Sequence, residues 1–141
     1  MWKAFGEMVR WGWLPSDTRL PRMVVAQADG CAPLVRAFEA GAESATPWEN
    51  PATHAAGLRV PGPLGDRLVL RALRESGGEA GNASEGTIRE ETRRLASASG
   101  IDAAPEGGCA LAVTRALVSA GRVDHDAEVV IYNTGSGASY R

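Results

Sequence analysis

"PRMVVAQADGCAPLVRAFEAG", Pro21 to Gly41, decides the fold. Met23 to Ala28 is a short, mostly apolar run entered through Pro21, which predicts a buried strand. "DGCAP" turns the chain, and Leu34, Ala37 and Phe38 then share one face of a predicted helix. Gly41 suits the left-handed residue that closes such a helix.

The same grammar continues outward. Asp66 to Ser76 predicts a second amphipathic helix, with Val69, Ala72, Leu73 and Ser76 in line and Gly77-Gly78 as its stop. In "EAGNASEG", which follows, an alternating fold expects a strand, but these residues have poor β propensity. Thr87-Ile88-Arg89-Glu90 reads as a capping box opening a charged helix that runs to about Ser99 and stops at Gly100. Pro105 and Glu106 suit the first turn of a further helix that carries Cys109, Val113, Ala116, Leu117 and Ala120 on one face and ends at Gly121. Val129 to Tyr132 predicts a second buried strand. Two apolar strands separated by helices indicate an α/β class: a partial open parallel sheet flanked by helices.

At the amino terminus Trp2, Phe5, Val9 and Trp13 recur at helical spacing, with Pro15 and Asp17 as the end. No Ser, Thr, Asp or Asn precedes this helix to take its first amides, which reads as the start of a longer element removed. Between Glu43 and Pro63 four prolines (Pro47, Pro51, Pro61 and Pro63) predict a long ordered loop or a short helix between loops, and loops of that length are usually functional or disordered.

The 141 residues fit one domain large enough to bury a core. Fifteen basic and 17 acidic side chains, net charge -2, with no block of like charge, exclude a nucleic-acid surface, which needs a basic stripe. No apolar stretch reaches the roughly 18 to 20 residues that span a bilayer, and no signal-peptide core is visible, so a cytoplasmic protein without membrane contact is expected. Cys31 and Cys109 lie far apart in apolar contexts and are expected as packed free thiols. His54 and His125 are expected as solvent-facing loop residues, and no metal set can be assembled.

Two stretches carry chemistry. In "NTGSG" a hydroxyl at Thr134 and glycines follow the predicted last strand, at the end where open α/β sheets bind ligands. This is either a frayed glycine-rich tail or a turn that lets backbone approach a flat ligand. It is not a phosphate loop, for want of a lysine and of a following helix, and nucleotide binding falls with it. In "PEGGC" Glu106 sits in a helix's first turn, where the dipole favours its charge. Gly107 and Gly108 beside it each cost roughly 1 kcal/mol relative to Ala, which points to a close neighbour.

"WKAFGEM", "PRMVVAQADGCAPLVRAFEAG", "WENPATHAAGLRVPGPLGD", "ALRESGG", "PEGGCALA" and "VVIYNTGSG", in this order, resemble the carboxyl half of threonine synthases and their close relatives. These are fold-type II pyridoxal-phosphate enzymes, a group that includes tryptophan synthase β chains and serine/threonine dehydratases. The resemblance covers Trp2 to Gly137. It implies the later part of the larger domain of a two-domain α/β enzyme, with pyridoxal 5'-phosphate between the domains. It also implies that Thr134 hydrogen-bonds the pyridine nitrogen, that Gly135 lets the backbone lie close, that Glu106 stands near the cofactor, and that Ala56 and Gly57 belong to the loop beside the ring. A hydroxyl partner does not favour full protonation of that nitrogen, which suits elimination and replacement over transamination.

Within the family a lysine of the amino-terminal half binds the cofactor as a Schiff base, and a glycine-rich loop just before the "WKAF" helix holds its phosphate. Lys3, the only lysine here, matches the helix lysine and not that one. Residues 1–141 are therefore expected as a single partial domain lacking the amino-terminal half, with only non-covalent cofactor contacts and no catalytic residue of its own. The intact enzyme is expected to convert O-phosphohomoserine into threonine and phosphate by γ-elimination and β-addition of water. The alternatives are a related β-elimination or β-replacement enzyme, and a truncated remnant without activity or a subunit complementing an amino-terminal half. Unprotected sheet edges predict poor solubility or oligomers in isolation.

Overall fold

The computed structural model describes residues 1–141. Its centre is a two-stranded parallel sheet: β1 (Val24–Ala28) pairs with β2 (Glu79–Ala83) in the register Val24 to Glu79 through Ala28 to Ala83. Five helices accompany it: α1 (Trp2–Arg10), α2 (Pro33–Glu39), α3 (Asp66–Glu75), α4 (Glu85–Ser99) and α5 (Pro105–Ser119). The α/β class and parallel sheet follow the sequence reading, but the partner of the first strand differs. Val129 to Tyr132 pairs with nothing, and Val130 is 79% exposed. The weakly propensive "EAGNA" is the strand instead.

Packing explains that exchange. A Cβ on Gly81 would stand 2.8 Å from Cγ1 of Val113, so the glycine that lowers β propensity is what lets α5 lie against the sheet. On that side Ala28, Ala83, Ile88, Cys109, Ala112 and Val113 form one core cluster. On the other, Leu34 and Ala37 of α2 meet Leu70 of α3. Leu70 and Leu73 are the buried positions of α3, and the predicted Val69, half-buried, packs against the same cluster; Leu70 is the inward residue that the predicted face lacked.

Local signals set the helix ends. Ser84, not Thr87, caps α4: its Oγ accepts the Thr87 amide at 3.2 Å. Nothing local caps α2; Gln27 of β1, buried, accepts the amides of Leu34 and Val35 on its Oε1 at 2.9 and 3.1 Å. Gly41, Gly77, Gly100 and Gly121 follow helices with positive φ, as their positions predicted. Helix α1 stops at Arg10, earlier than Pro15, because Gly12 turns left-handed at φ 71°, so Trp13 falls outside the helical face. No residue of α1 is buried, and Trp2 Nε1 ties it to Glu75 of α3 at 2.8 Å.

Candidate functional site

The long proline-rich loop is ordered. Trp48 N–H donates to the Pro61 carbonyl at 2.9 Å, the Arg36 guanidinium lies 4.7 Å over the Trp48 ring, and Arg36 donates to the Thr46 carbonyl at 2.8 Å. Held at both ends, the loop makes one 3-10 turn at Ala56–Leu58 and presents Gly57 to the amino terminus of α5.

There Gly57 N–H donates to Glu106 Oε1 at 2.8 Å. A Cβ on Gly57 would come within 2.7 Å of that oxygen, so with any other residue the Glu106 carboxylate would have to shift. Pro105 at the first helical position and the free amides of α5 favour the Glu106 charge. Behind it, Gly108 lets α5 touch α4: a Cβ there would stand 2.7 Å from the Ile88 carbonyl oxygen and from the Thr92 amide nitrogen. The close neighbour expected from "GG" is thus α4.

The segment after α5 returns over the same helix end. Ala103 and Ser136 form an isolated antiparallel bridge, and Ala104 N–H donates to the Gly135 carbonyl at 3.3 Å. This return brings Gly135 beside Glu106, a Cβ on it lying 3.0 Å from that of Ala104 and 4.0 Å from Glu106 Oε2. Gly57, Leu58, Glu106, Val130, Thr134 and Gly135 line one cleft of about 520 Å³, and Ala56 lies in the turn at its rim. The residues singled out from sequence therefore meet, although three segments of chain supply them.

Tyr140 was not visible in the sequence as a site residue. The 3-10 turn Gly137–Tyr140 carries its phenol onto Glu106 Oε1, beside the Gly57 amide, and Arg141 Nη2 pairs with Asp102 Oδ2 at 2.5 Å. Burial raises the Tyr140 phenol above its ordinary range, and the hydrogen bond and charge of Glu106 add to it. Glu106 Oε2 is buried and has no hydrogen-bond partner. Near the site, His54 is no free loop residue: it is half-buried, with Nδ1 on Glu85 Oε2. Burial would raise the Glu85 carboxyl, but hydrogen bonds from Thr53 and His54 outweigh it and lower the net value. His125 is exposed.

Both cysteines are buried free thiols. Burial, with the charges of Asp29, Glu106 and Glu85, pushes Cys109 up to about 12, so it stays a protonated thiol donating to the Gln27 carbonyl at 3.2 Å. No group of three or more His, Cys, Asp or Glu side chains could hold a metal ion, and no helix is long and apolar enough to cross a membrane. Lys3 lies on α1 with its side chain 87% exposed, paired to Glu7 at 3.0 Å.

Comparison with known proteins gives the family. The chain is 38% identical over 116 residues, 82% of its length, to a threonine synthase of Methanosarcina acetivorans, and 34% identical over 137 residues, 97% of its length, to one of Methanocaldococcus jannaschii. It spans only 29% and 33% of those relatives, about a third of each. Among solved structures a threonine deaminase from T.th. superposes with a TM-score of 0.53 over 70% of this chain and 30% of that one; at 23% identity this likeness shows the fold alone. The family model described as "Pyridoxal-phosphate dependent enzyme" matches residues 1–135, and the chain belongs to that family.

Proposed function

We propose that residues 1–141 form one wall of the cofactor and substrate site of a threonine synthase-type lyase, acting on O-phosphohomoserine to give threonine and phosphate. The observation that carries this reading is the convergence of Gly57, Glu106, Thr134 and Gly135 on one cleft.

The residues present fit pyridoxal phosphate. Gly57 and Gly135 bring backbone to the wall of the cleft, Thr134 brings a hydroxyl, and Glu106 Oε2 is a buried acceptor without a partner. Thr134 and Gly135 would hold the ring-nitrogen side, with Ala56 and Gly57 beside the ring and Glu106 near it. When bound, the cofactor supplies an electron sink that stabilises negative charge beside the substrate's amino group. Leu58 and Val130 give the cleft an apolar wall. The Thr134 hydroxyl can donate to an unprotonated nitrogen or accept from a protonated one, and so does not force full protonation. Glu106, fixed by the Gly57 amide, keeps an anionic oxygen at a set place in the cleft.

The amine for covalent attachment, the phosphate loop and most substrate contacts come, in this reading, from sequence outside these residues. Support comes from Lys3, the only lysine, standing exposed on α1, and from the match to about a third of each relative. Residues 1–141 by themselves are then inactive, and cytoplasmic with the rest of the enzyme. The two open edges of the sheet are where the remainder would add.

The test is a chimaera in which this chain replaces the matching third of the Methanosarcina acetivorans threonine synthase. Phosphate release from O-phosphohomoserine is expected. A folded chimaera that takes up pyridoxal phosphate and releases no phosphate would overturn the substrate assignment.

A further inference from the structure

Glu106 has two oxygens in different situations. Oε1 takes two donors, the Gly57 amide at 2.8 Å and the Tyr140 phenol, whereas Oε2 is buried, faces Gly135 and has none. A carboxylate free to turn about its last bond would exchange these oxygens. Two donors on the same oxygen, one from the loop and one from the returning tail, remove that freedom. The tail itself is tied on Asp102: Arg141 pairs with its carboxylate at 2.5 Å, and its carbonyl accepts the Gly137 amide at 2.9 Å.

We propose that Tyr140 is a positioning residue: its phenol, with the Gly57 amide, occupies Oε1 of Glu106 and holds Oε2 as the buried, unpartnered acceptor on the Gly135 side of the cleft wall. The ligand group that Oε2 serves is a hydrogen-bond donor, an N–H or O–H, since an ionised carboxylate only accepts. The inference rests on the reading of the cleft as a ligand site, but the latch can be measured in the chain without any ligand.

Two readouts decide it. Amide exchange followed by NMR should show Gly57 N–H exchanging about fivefold faster or more in Tyr140→Phe, the loss of roughly 1 kcal/mol of fixed hydrogen bonding, while the Asp29 amide bonded to the Ala83 carbonyl keeps its rate. Phenol absorbance in a Tyr132→Phe background isolates Tyr140, and Glu106→Gln should lower its titration midpoint by removing the carboxylate charge that opposes the phenolate. A Gly57 rate unchanged by Tyr140→Phe, or a midpoint unchanged by Glu106→Gln in a folded chain, overturns the latch. Should Glu106→Gln fail to fold, the Gly57 rate still decides, because Tyr140 is on the surface at 38% exposure. An active chimaera with unmoved readouts removes the latch alone. An inactive chimaera with moved readouts removes only the functional assignment.

Discussion

Gly57 and Glu106, 49 residues apart in sequence, are joined by a 2.8 Å hydrogen bond that fastens the proline-rich loop to the amino terminus of α5. A methyl group at position 57 would fall 2.7 Å from the accepting oxygen. Gly57→Ala is therefore expected to displace the Glu106 carboxylate and loosen this hydrogen bond, costing about 1 kcal/mol by urea denaturation. In the chimaera it should also weaken pyridoxal-phosphate uptake.

Much of this arrangement was legible in the sequence because it depends on local signals. Proline at the start of α5 and glycines after four helices marked their ends without reference to tertiary structure. The second strand was not legible. "EAGNA" scores poorly because Gly81 has no side chain, and only the approach of Val113 explains that lack. Val129 to Tyr132 has the composition of a strand, but it pairs with neither edge of the two-stranded sheet, and composition alone does not say which edge a segment reaches. Among the site residues, Thr134 and Glu106 stood out by their places after a predicted strand and in a helix's first turn, whereas their cofactor roles, and the choice of Gly135, Ala56 and Gly57, came from the resemblance. Tyr140 escaped both, because a short tail's return onto Glu106 leaves no periodic signal.

Two glycines on the facing helices α4 and α5 should respond with opposite signs. Gly108→Ala places a methyl group 2.7 Å from the backbone of Ile88 and Thr92, which cannot move aside singly, and should cost about 3 kcal/mol. Gly86, in the first turn of α4, has only Ser84 Oγ near, at 3.8 Å. Gly86→Ala should stabilise by about 0.5 kcal/mol by restricting the unfolded chain. Midpoints of urea unfolding at constant slope check both.

Glu79, at the start of β2, is 8% exposed and holds two guanidinium groups: Arg122 Nη2 reaches both carboxylate oxygens at 2.8 Å and Arg22 Nη2 reaches Oε1 at 3.2 Å. Removing one arginine leaves the charge paired and should cost about 1 kcal/mol. Arg22→Ala with Arg122→Ala leaves a buried carboxylate without a cation, and the pair should cost about 3 to 5 kcal/mol, more than the sum of the singles. A double-mutant cycle of unfolding free energies measures the excess.

Asp66 accepts the Ala45 amide at 2.7 Å and the Arg67 amide at 2.7 Å, and these bonds hold its carboxyl below the ordinary 3.8. A depressed folded value means that stability is fully present above the unfolded value and is lost as pH falls through the folded one. Asp66→Asn should lower the melting temperature at neutral pH and draw closer to the parent as the pH falls below the ordinary carboxylate range and the Asp66 charge is lost. Melting curves across that range show whether the gap narrows.

If Thr134 faces the cofactor, the affinity of the chimaera for pyridoxal phosphate, read by absorbance, depends on the hydroxyl at that position. Thr134→Ser keeps the hydroxyl and should leave the dissociation constant within about twofold; Thr134→Ala removes it and should weaken binding about tenfold, the loss of one well-formed hydrogen bond. A Thr134→Ala chimaera that is folded and binds the cofactor as tightly as the parent would contradict the account.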